Sequence, residues 1–390
     1  MNKVYFRFIQ FSLGLYGGEE FLSGEALHGF DWKAFYSFCK KQTLIGVVFD
    51  GIQRLPKELA PNQDLLMTWL GQSLSIRKKN ILLNAATAQI YGKVMGEGLR
   101  CCILKGQGNA TLYPHPHSRT PGDVDVWVNA GRDETRHLAC SLAKDSGAVC
   151  KESLNHIELA VNGVVVELHS TPAVMNNPLY NCRLQKWLSR NADLQCSNIV
   201  SLPDEAGEVA IPTCAFNVVY QLFHLYHHYF YEGIGMRQII DYHFNIERLK
   251  YGKIERLKYG KIERLKNGNH GKIERLKNGK IEILQKELKY LGLWKFVGAV
   301  MYVLHETLGL AEDKMICPMD EKRGQTLLDE IVQGGNFGQY DERHCFGHDS
   351  IGHNLQRLQR DWRLARHYPA EALSEPIFRT WHFFWRLWRK

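Results

Sequence analysis

Apolar and polar positions follow three successive textures along this chain of 390 residues. Up to about residue 95 the apolar positions recur at helical spacing, as in Phe35, Phe38, Leu44, Val47, Val48 and Ile52 between Asp31 and Pro56. That stretch reads as a helical lead-in with no chemistry of its own. From Cys101 to Leu202 the pattern breaks into short β-type runs at 101–104, 124–128, 157–161 and 164–168. Helical segments separate the first three, and Asn162-Gly163 supplies a hairpin turn between the last two. From Glu205 onward helical texture returns, with aromatic-rich apolar faces over 216–231 and 291–308. The predicted fold is α/β (α+β): a small mixed-sheet core over 96–204, between a helical region at 1–95 and a helical domain at 205–390.

One segment interrupts the last region. Ile-Glu-Arg-Leu-Lys recurs from Ile246, Ile254, Ile262 and Ile273, and a degenerate copy opens at Ile281. Most units are eight residues long, which advances a helix about 80° beyond two turns, so the apolar pair of each unit cannot stay on one face. The repeat at 246–285 therefore reads as a solvated insertion between two helices, with a basic tether for an acidic protein partner as the other reading.

Charge changes the picture only there. The formal net charge is +8, and residues 246–280 hold twelve Lys or Arg against four Glu, so the rest of the chain is neutral. A long basic channel for nucleic acid is not expected outside the repeat. Ten cysteines without paired spacing, and no secretory leader ahead of them, fit a reducing cytoplasm. No apolar run approaches the ~20 residues that a membrane-spanning helix needs.

Candidate chemistry begins at Lys105-Gly106-Gln107-Gly108, a glycine turn after a predicted strand, and continues at Gly122-Asp123-Val124-Asp125-Val126. Residues i and i+2 of a strand share a face, so Asp123 and Asp125 project together while Val124 and Val126 enter the core. Two carboxylates that close repel unless a cation lies between them, and a hard divalent ion with oxygen ligands, above all Mg²⁺, meets that demand. Glu167, in Val166-Glu167-Leu168-His169, is the third carboxylate if its strand neighbours 124–128, and Glu158 on the preceding strand is its rival. Three carboxylates can hold two ions for in-line displacement at a phosphorus. The glycine turn can offer backbone N–H groups to phosphates, with Lys105 adding a point charge.

Together with Leu112-Tyr113-Pro114 and Arg119, these residues resemble the uncharacterised bacterial nucleotidyltransferase family within the DNA polymerase beta superfamily. Gly235-Met236-Arg237-Gln238-Ile239-Ile240-Asp241 and Gly335-Asn336-Phe337-Gly338 resemble motifs of that family's helical C-terminal part. The resemblance covers roughly 30–345 with the repeat excluded. It implies Asp123, Asp125 and Glu167 as catalytic metal ligands for Mg²⁺, two ions in all, and Gly106 in the phosphate-binding turn. The turn departs from the wider superfamily in reading Gly106-Gln107 where Gly-Gly or Gly-Ser is usual, so Lys105, Gln107 and Arg119 are the candidates for binding a nucleoside triphosphate such as ATP.

The implied activity moves a nucleoside monophosphate from an NTP to a hydroxyl of a small molecule or a protein, with release of pyrophosphate. The alternative is a catalytically inactive nucleotide-binding or interaction protein on the same scaffold. Other features read plainly. Arg237 and Asp241 are spaced for an intrahelical ion pair, and the resemblance gives a site-lining role as the other reading. His224, His227 and His228 include an i, i+4 pair, but no glutamate-bearing metalloprotease motif and no nearby cysteine pair supports a zinc site, and His344, Cys345, His348 and His353 read as loop residues. The C-terminal aromatic helix, with Trp381, Trp385 and Trp388 on one stripe, is expected to dock on the protein's own helices, or else to meet a partner.

Overall fold

The computed structural model describes residues 3–15, 27–153, 155–251, 270–341 and 350–388. Helix α1 (Lys3–Ser12), α2 (Trp32–Lys41), α3 (Ile45–Ile52) and the long α4 (Gln63–Gly96) come first. Asp31 caps α2 by accepting from the Ala34 N–H at 2.9 Å, and Asn62 caps α4 by accepting from Leu65 N–H at 3.0 Å, so each start is written in the residue before it. The α/β part follows: β1 (Cys101–Leu104), the one-turn α5 (Gly106–Ala110), β2 (Val124–Val128), α6 (Arg132–Ser146), β3 (Lys151–Glu152), β4 (His156–Val161) and β5 (Val164–His169). Then come α7 (Pro178–Gln195), a hairpin of β6 (Ile199–Ser201) and β7 (Glu208–Ala210), α8 (Cys214–Tyr231) and α9 (Met236–Tyr251). The remaining helices are α10 (His270–Tyr290), α11 (Trp294–Leu308), α12 (Glu321–Gly334), α13 (Ser350–Ala365), the short α14 (Pro369–Ala372) and α15 (Glu375–Trp388).

Five strands form one mixed sheet in the order β1-β2-β5-β4-β3. β2 and β5 run parallel, with Val124 opposite Val166 and Asp125 opposite Glu167; the other pairs are antiparallel. Side chains alternate across the sheet. Ile103, Val124, Val126, Val128, Val166, Leu168, Ile157 and Leu159 face one apolar layer with Leu83, Ile90 and Val94 of α4 and Leu138 and Leu142 of α6. The opposite face carries Leu104, Asp125, Trp127, Glu167 and His169 toward the helical domain. There Trp127 stacks on Phe216 at 5.7 Å, and Phe216 on Trp187 at 4.4 Å.

The N-terminal helices do not stand apart. Phe6, Phe8 and Phe35 share one core with Phe296, Val300 and Leu304 of α11. Gln42, at the end of α2, donates to the Ile331 carbonyl and accepts from the Met236 N–H, both at 2.9 Å, tying α12 and α9 to the same point. The two C-terminal motifs meet in space: a Cβ at Gly233 would lie 2.8 Å from the Gly338 nitrogen, and one at Gly235 would lie 3.0 Å from the Asn336 Cα.

Three expectations are revised. The first repeat unit completes α9 with Ile246 fully buried, and Ile281, Leu284 and Leu288 of α10 pack on the core, so the ends of the repeat are helix and not solvated insertion; its middle lies outside the described residues. On the C-terminal helix Ile377, Trp381, Phe383 and Phe384 are half or more exposed, so the Trp381 end of the aromatic stripe is not docked on the protein's own helices; the side chains of Trp385 and Trp388 lie outside the described residues. Asp241 pairs with Arg119 across the fold and not with Arg237 along its own helix. His344, Cys345 and His348 lie outside the described residues, as does the side chain of His353.

Candidate active site

Asp125 is the hub. Its side chain leaves the middle of β2 on the helical-domain side, where parallel pairing sets Glu167 directly beside it. Lys105 Nζ lies 2.9 Å from Asp125 Oδ1, and His169 Nε2 lies 3.1 Å from the same oxygen. The same imidazole nitrogen is 3.2 Å from Glu167 Oε2. Burial alone would raise the pKa of Asp125, but Lys105 and the His169 hydrogen bond outweigh it and hold the carboxyl well below the usual range. His169 is shifted the other way: burial disfavours its charged form, yet hydrogen bonds to Asp125 and Glu167 raise its pKa.

Asp123 stands at the mouth of the site, exposed, one residue before β2. Partial burial, and then repulsion from Glu167 and Asp125, raise its pKa. The two neighbouring carboxylates thus add to what burial does, against Lys79 and Lys105, which pull the other way. Glu158, the rival third carboxylate, faces Glu167 across β4 and β5, one strand farther from Asp125, and its Oε1 accepts from Lys151 Nζ at 3.0 Å.

The turn after β1 lies against the same point. Lys105 adopts φ 47° and Gly106 φ +32°, a left-handed pair that is strained for a lysine, and a Cβ on Gly106 would meet the Asp123 carbonyl at 3.3 Å. Gln107 does not face the carboxylates. Its side chain is buried against α4, donating to Asn84 Oδ1, so only its backbone belongs to the turn. Behind the turn, Asn109 Oδ1 accepts from Gln221 Nε2 at 2.7 Å and from Asn217 Nδ2 at 3.2 Å, which fixes α5 to α8.

Arg119 is spoken for as well. Its Nε and Nη2 reach Asp241 Oδ1 and Oδ2 at 2.8 and 2.7 Å, and the Tyr113 hydroxyl donates to Oδ1 at 2.7 Å, with both charged side chains almost fully buried. The guanidinium expected at the phosphates instead anchors the loop that ends at Asp123. That loop has further ties: Asn80 Nδ2 donates to the His117 and Arg119 carbonyls at 2.9 Å each, Thr120 Oγ1 to the Thr43 carbonyl at 2.8 Å, and Arg237 Nη1 to the Thr120 carbonyl at 2.9 Å. Arg237 keeps a buried Nε with no partner, and its Nη1 lies 4.0 Å from where a Gly122 Cβ would be. Burial and then the neighbouring Arg119 lower its pKa to about 10.

Sequence reasoning missed His156. It lies opposite His169 in the β4–β5 pairing, with its Nε2 3.8 Å from Glu167 Oε1. The signal was there in the alternation, because His156 and Glu158 share a strand face. On α8, His224 Nε2 and His228 Nε2 are 3.1 Å apart, and His228 Nδ1 faces Glu232 Oε2 at 2.9 Å, a hydrogen-bonded chain along one helix.

A mixed sheet flanked by helices, with carboxylates from two adjacent parallel strands beside a glycine turn, is an arrangement of the nucleotidyltransferase class. Residues 28–257 match the family described as uncharacterised nucleotidyltransferase, and with more than half its length matched the chain belongs to that family. No curated protein matches the chain. Among solved structures it is similar to an antigenic nucleotidyltransferase-like protein from Paracoccidioides brasiliensis, 18% identical over 54% of this chain and 91% of that one, with a TM-score of 0.31.

Proposed function

We propose that the chain is a divalent-metal-dependent nucleotidyltransferase that moves a nucleoside monophosphate from an NTP to a hydroxyl and releases pyrophosphate. The observation that carries this reading is the parallel register that sets Glu167 beside Asp125, with Asp123 one residue ahead of the same strand. That donor set fits Mg²⁺, because clustered carboxylate oxygens are what a hard cation takes and an excess of negative charge is what it relieves. Asp123, Asp125 and Glu167 would hold one or two such ions; bound there, Mg²⁺ would neutralise phosphate charge and acidify the acceptor hydroxyl.

The chain's own residues do the rest. Asp125, held ionised by Lys105 and His169, is a poor proton acceptor, which leaves Glu167 to take the proton of the attacking hydroxyl. Lys105 is the point charge for the triphosphate, beside the Gly106-Gln107 backbone. Arg237, whose Nη1 lies beside Gly122 and whose buried Nε has no partner, replaces Arg119 as the guanidinium on the anion side. His169 positions Asp125 and Glu167 with respect to each other.

The neutral balance outside the repeat favours a small molecule or a protein side chain as acceptor over a nucleic acid. The core, by this reading, is a bacterial branch of the DNA polymerase beta superfamily, organised as 1–95, 96–204 and 205–390. A cytoplasmic setting belongs to the same reading, on the unpaired spacing of the cysteines in the sequence, and no helix among the described residues is long and apolar enough to cross a membrane.

One observation favours the second reading, a binding protein without turnover: Asp125 is already neutralised from within by Lys105 and His169. Incubation with each NTP and Mg²⁺, with and without a metabolite extract, decides between them. Pyrophosphate release that disappears in Asp123→Ala/Asp125→Ala supports the enzyme. Metal-dependent nucleotide binding with no release supports the binder.

A further inference from the structure

The carboxylate face does not end in oxygen. His156, Glu167 and His169 offer one ligand atom each, all within 4.8 Å of one another. Glu167 lies between the two rings, with Oε1 3.8 Å from His156 and Oε2 3.2 Å from His169, and the ring centroids are 5.3 Å apart. Asp125 Oδ1 completes the set 3.1 Å from the His169 nitrogen. Ligands bound at about 2.0–2.2 Å to a single ion lie roughly 3–4 Å apart, so closure needs side-chain rotations and no backbone movement.

The three ligands come from two hydrogen-bonded strands. His156 is opposite His169 and Glu167 is two residues earlier on the same strand, so the pairing itself presents all three on one face. The side chains of His156 and Glu167 are each about a quarter exposed, which leaves a path for an ion, while His169 is buried and its far nitrogen, Nδ1, has no partner.

We propose that His156, Glu167 and His169 form a binding site for a first-row metal ion of the Co²⁺, Ni²⁺ or Zn²⁺ class, distinct in chemistry from the Asp123 and Asp125 end of the same face. Imidazole nitrogen favours these ions, whereas Mg²⁺ favours oxygen and gives up its water reluctantly. The inference rests on the transferase reading only in sharing Glu167 and Asp125 with it. In that setting the two cation positions are unlike: one is all oxygen and faces the triphosphate, and the other is rich in nitrogen and lies deeper along β5.

The test is a Co²⁺ titration of the chelator-stripped full chain, followed by the visible d–d absorption of the bound ion. One Co²⁺ should bind per chain, be displaced by equimolar Zn²⁺, and resist a large excess of Mg²⁺. His156→Ala and His156→Gln should each weaken Co²⁺ binding at least 10-fold, while Glu158→Gln on the same strand and Asp123→Asn at the mouth should not. Co²⁺ held no more tightly than Mg²⁺, or binding unchanged in both His156 variants, overturns the site. Pyrophosphate release by the wild-type chain in Mg²⁺ is measured alongside. A lost Co²⁺ site with that release intact refutes only this inference, and a retained Co²⁺ site with no release refutes only the transferase.

Discussion

Asp241→Asn tests whether the buried Arg119 pair carries the geometry of the Asp123 loop. The carboxylate accepts two bonds from Arg119, at 2.8 and 2.7 Å, and one from Tyr113 at 2.7 Å, in a site where the charged side chains are 4% and 6% exposed. Bonds to a charged group contribute about 1.5–3 kcal/mol each, and removing one partner of a buried pair costs about 3–5 kcal/mol because the other charge stays buried without compensation. Arg237, which also draws on Asp241, adds to that cost. With a urea m-value near 3 kcal/mol/M, the unfolding midpoint should fall by about 1 M or more. Replacing all three partners, as Arg119→Met/Asp241→Leu/Tyr113→Phe, should restore at least half of the loss, since no buried charge of the pair is then left alone.

The same side chain fixes a pH dependence. Burial would raise the Asp241 pKa, but Arg119 more than offsets it, so the folded value lies below the unfolded value of about 3.9. A depressed carboxylate pKa gives stability that is complete above the unfolded value and is lost as pH falls through the folded one. The gap between wild type and Asp241→Asn should therefore be flat above about pH 5 and should close below about pH 4. A midpoint shift under roughly 0.3 M at pH 7, or a gap that widens on acidification, refutes the reasoning.

Lys105→Met should lower kcat/KM for NTP-dependent pyrophosphate release by roughly 10–150-fold, the worth of one charge-assisted bond, and an unchanged value removes Lys105 from the phosphate site. Gly338→Ala places a Cβ 2.1 Å from the Glu232 carbonyl oxygen at φ +64°. Thermal unfolding should show a loss of about 2–5 kcal/mol, against about 1–2 kcal/mol for Gly14→Ala, where φ is +72° and nothing lies within 4 Å. Glu371 has its pKa raised by burial to about 7, although the Asn176 and Asn177 N–H groups pull it down. Its ionisation therefore costs stability as pH rises from about 4.5 to 7, so Glu371→Gln should raise Tm at pH 8 and leave it nearly unchanged at pH 4.

Strands β2, β4 and β5 were legible because alternation is a strong local signal, and β1 because it is a short apolar run that ends at a glycine turn. β3 and the β6–β7 hairpin, at two and three residues per strand, are too short to show one. Asp123, Asp125 and Glu167 could be picked out because a carboxylate in an apolar strand breaks the pattern. The supports could not. Asn80 and Asn84 on α4, and Asn109, Asn217 and Asn245, are buried amides with partners distant in sequence, and on a helical wheel they look like solvated positions. Arg119 was misplaced for the same reason: a lone arginine near a phosphate motif carries no mark that its partner lies 122 residues away.

The loop that ends at Asp123 hangs from α4 through Asn80, from the α2–α3 turn through Thr43, and from α9 through Arg237 and Asp241. For anyone trimming the chain to a minimal piece, the sheet is consequently the wrong unit. A fragment cut at 96–204 would retain each of the three carboxylates in its sequence and lose every one of those hangers, so the smallest portion worth expressing starts ahead of α2 and runs through α11 and α12, on which Phe35 and Gln42 of the same support depend.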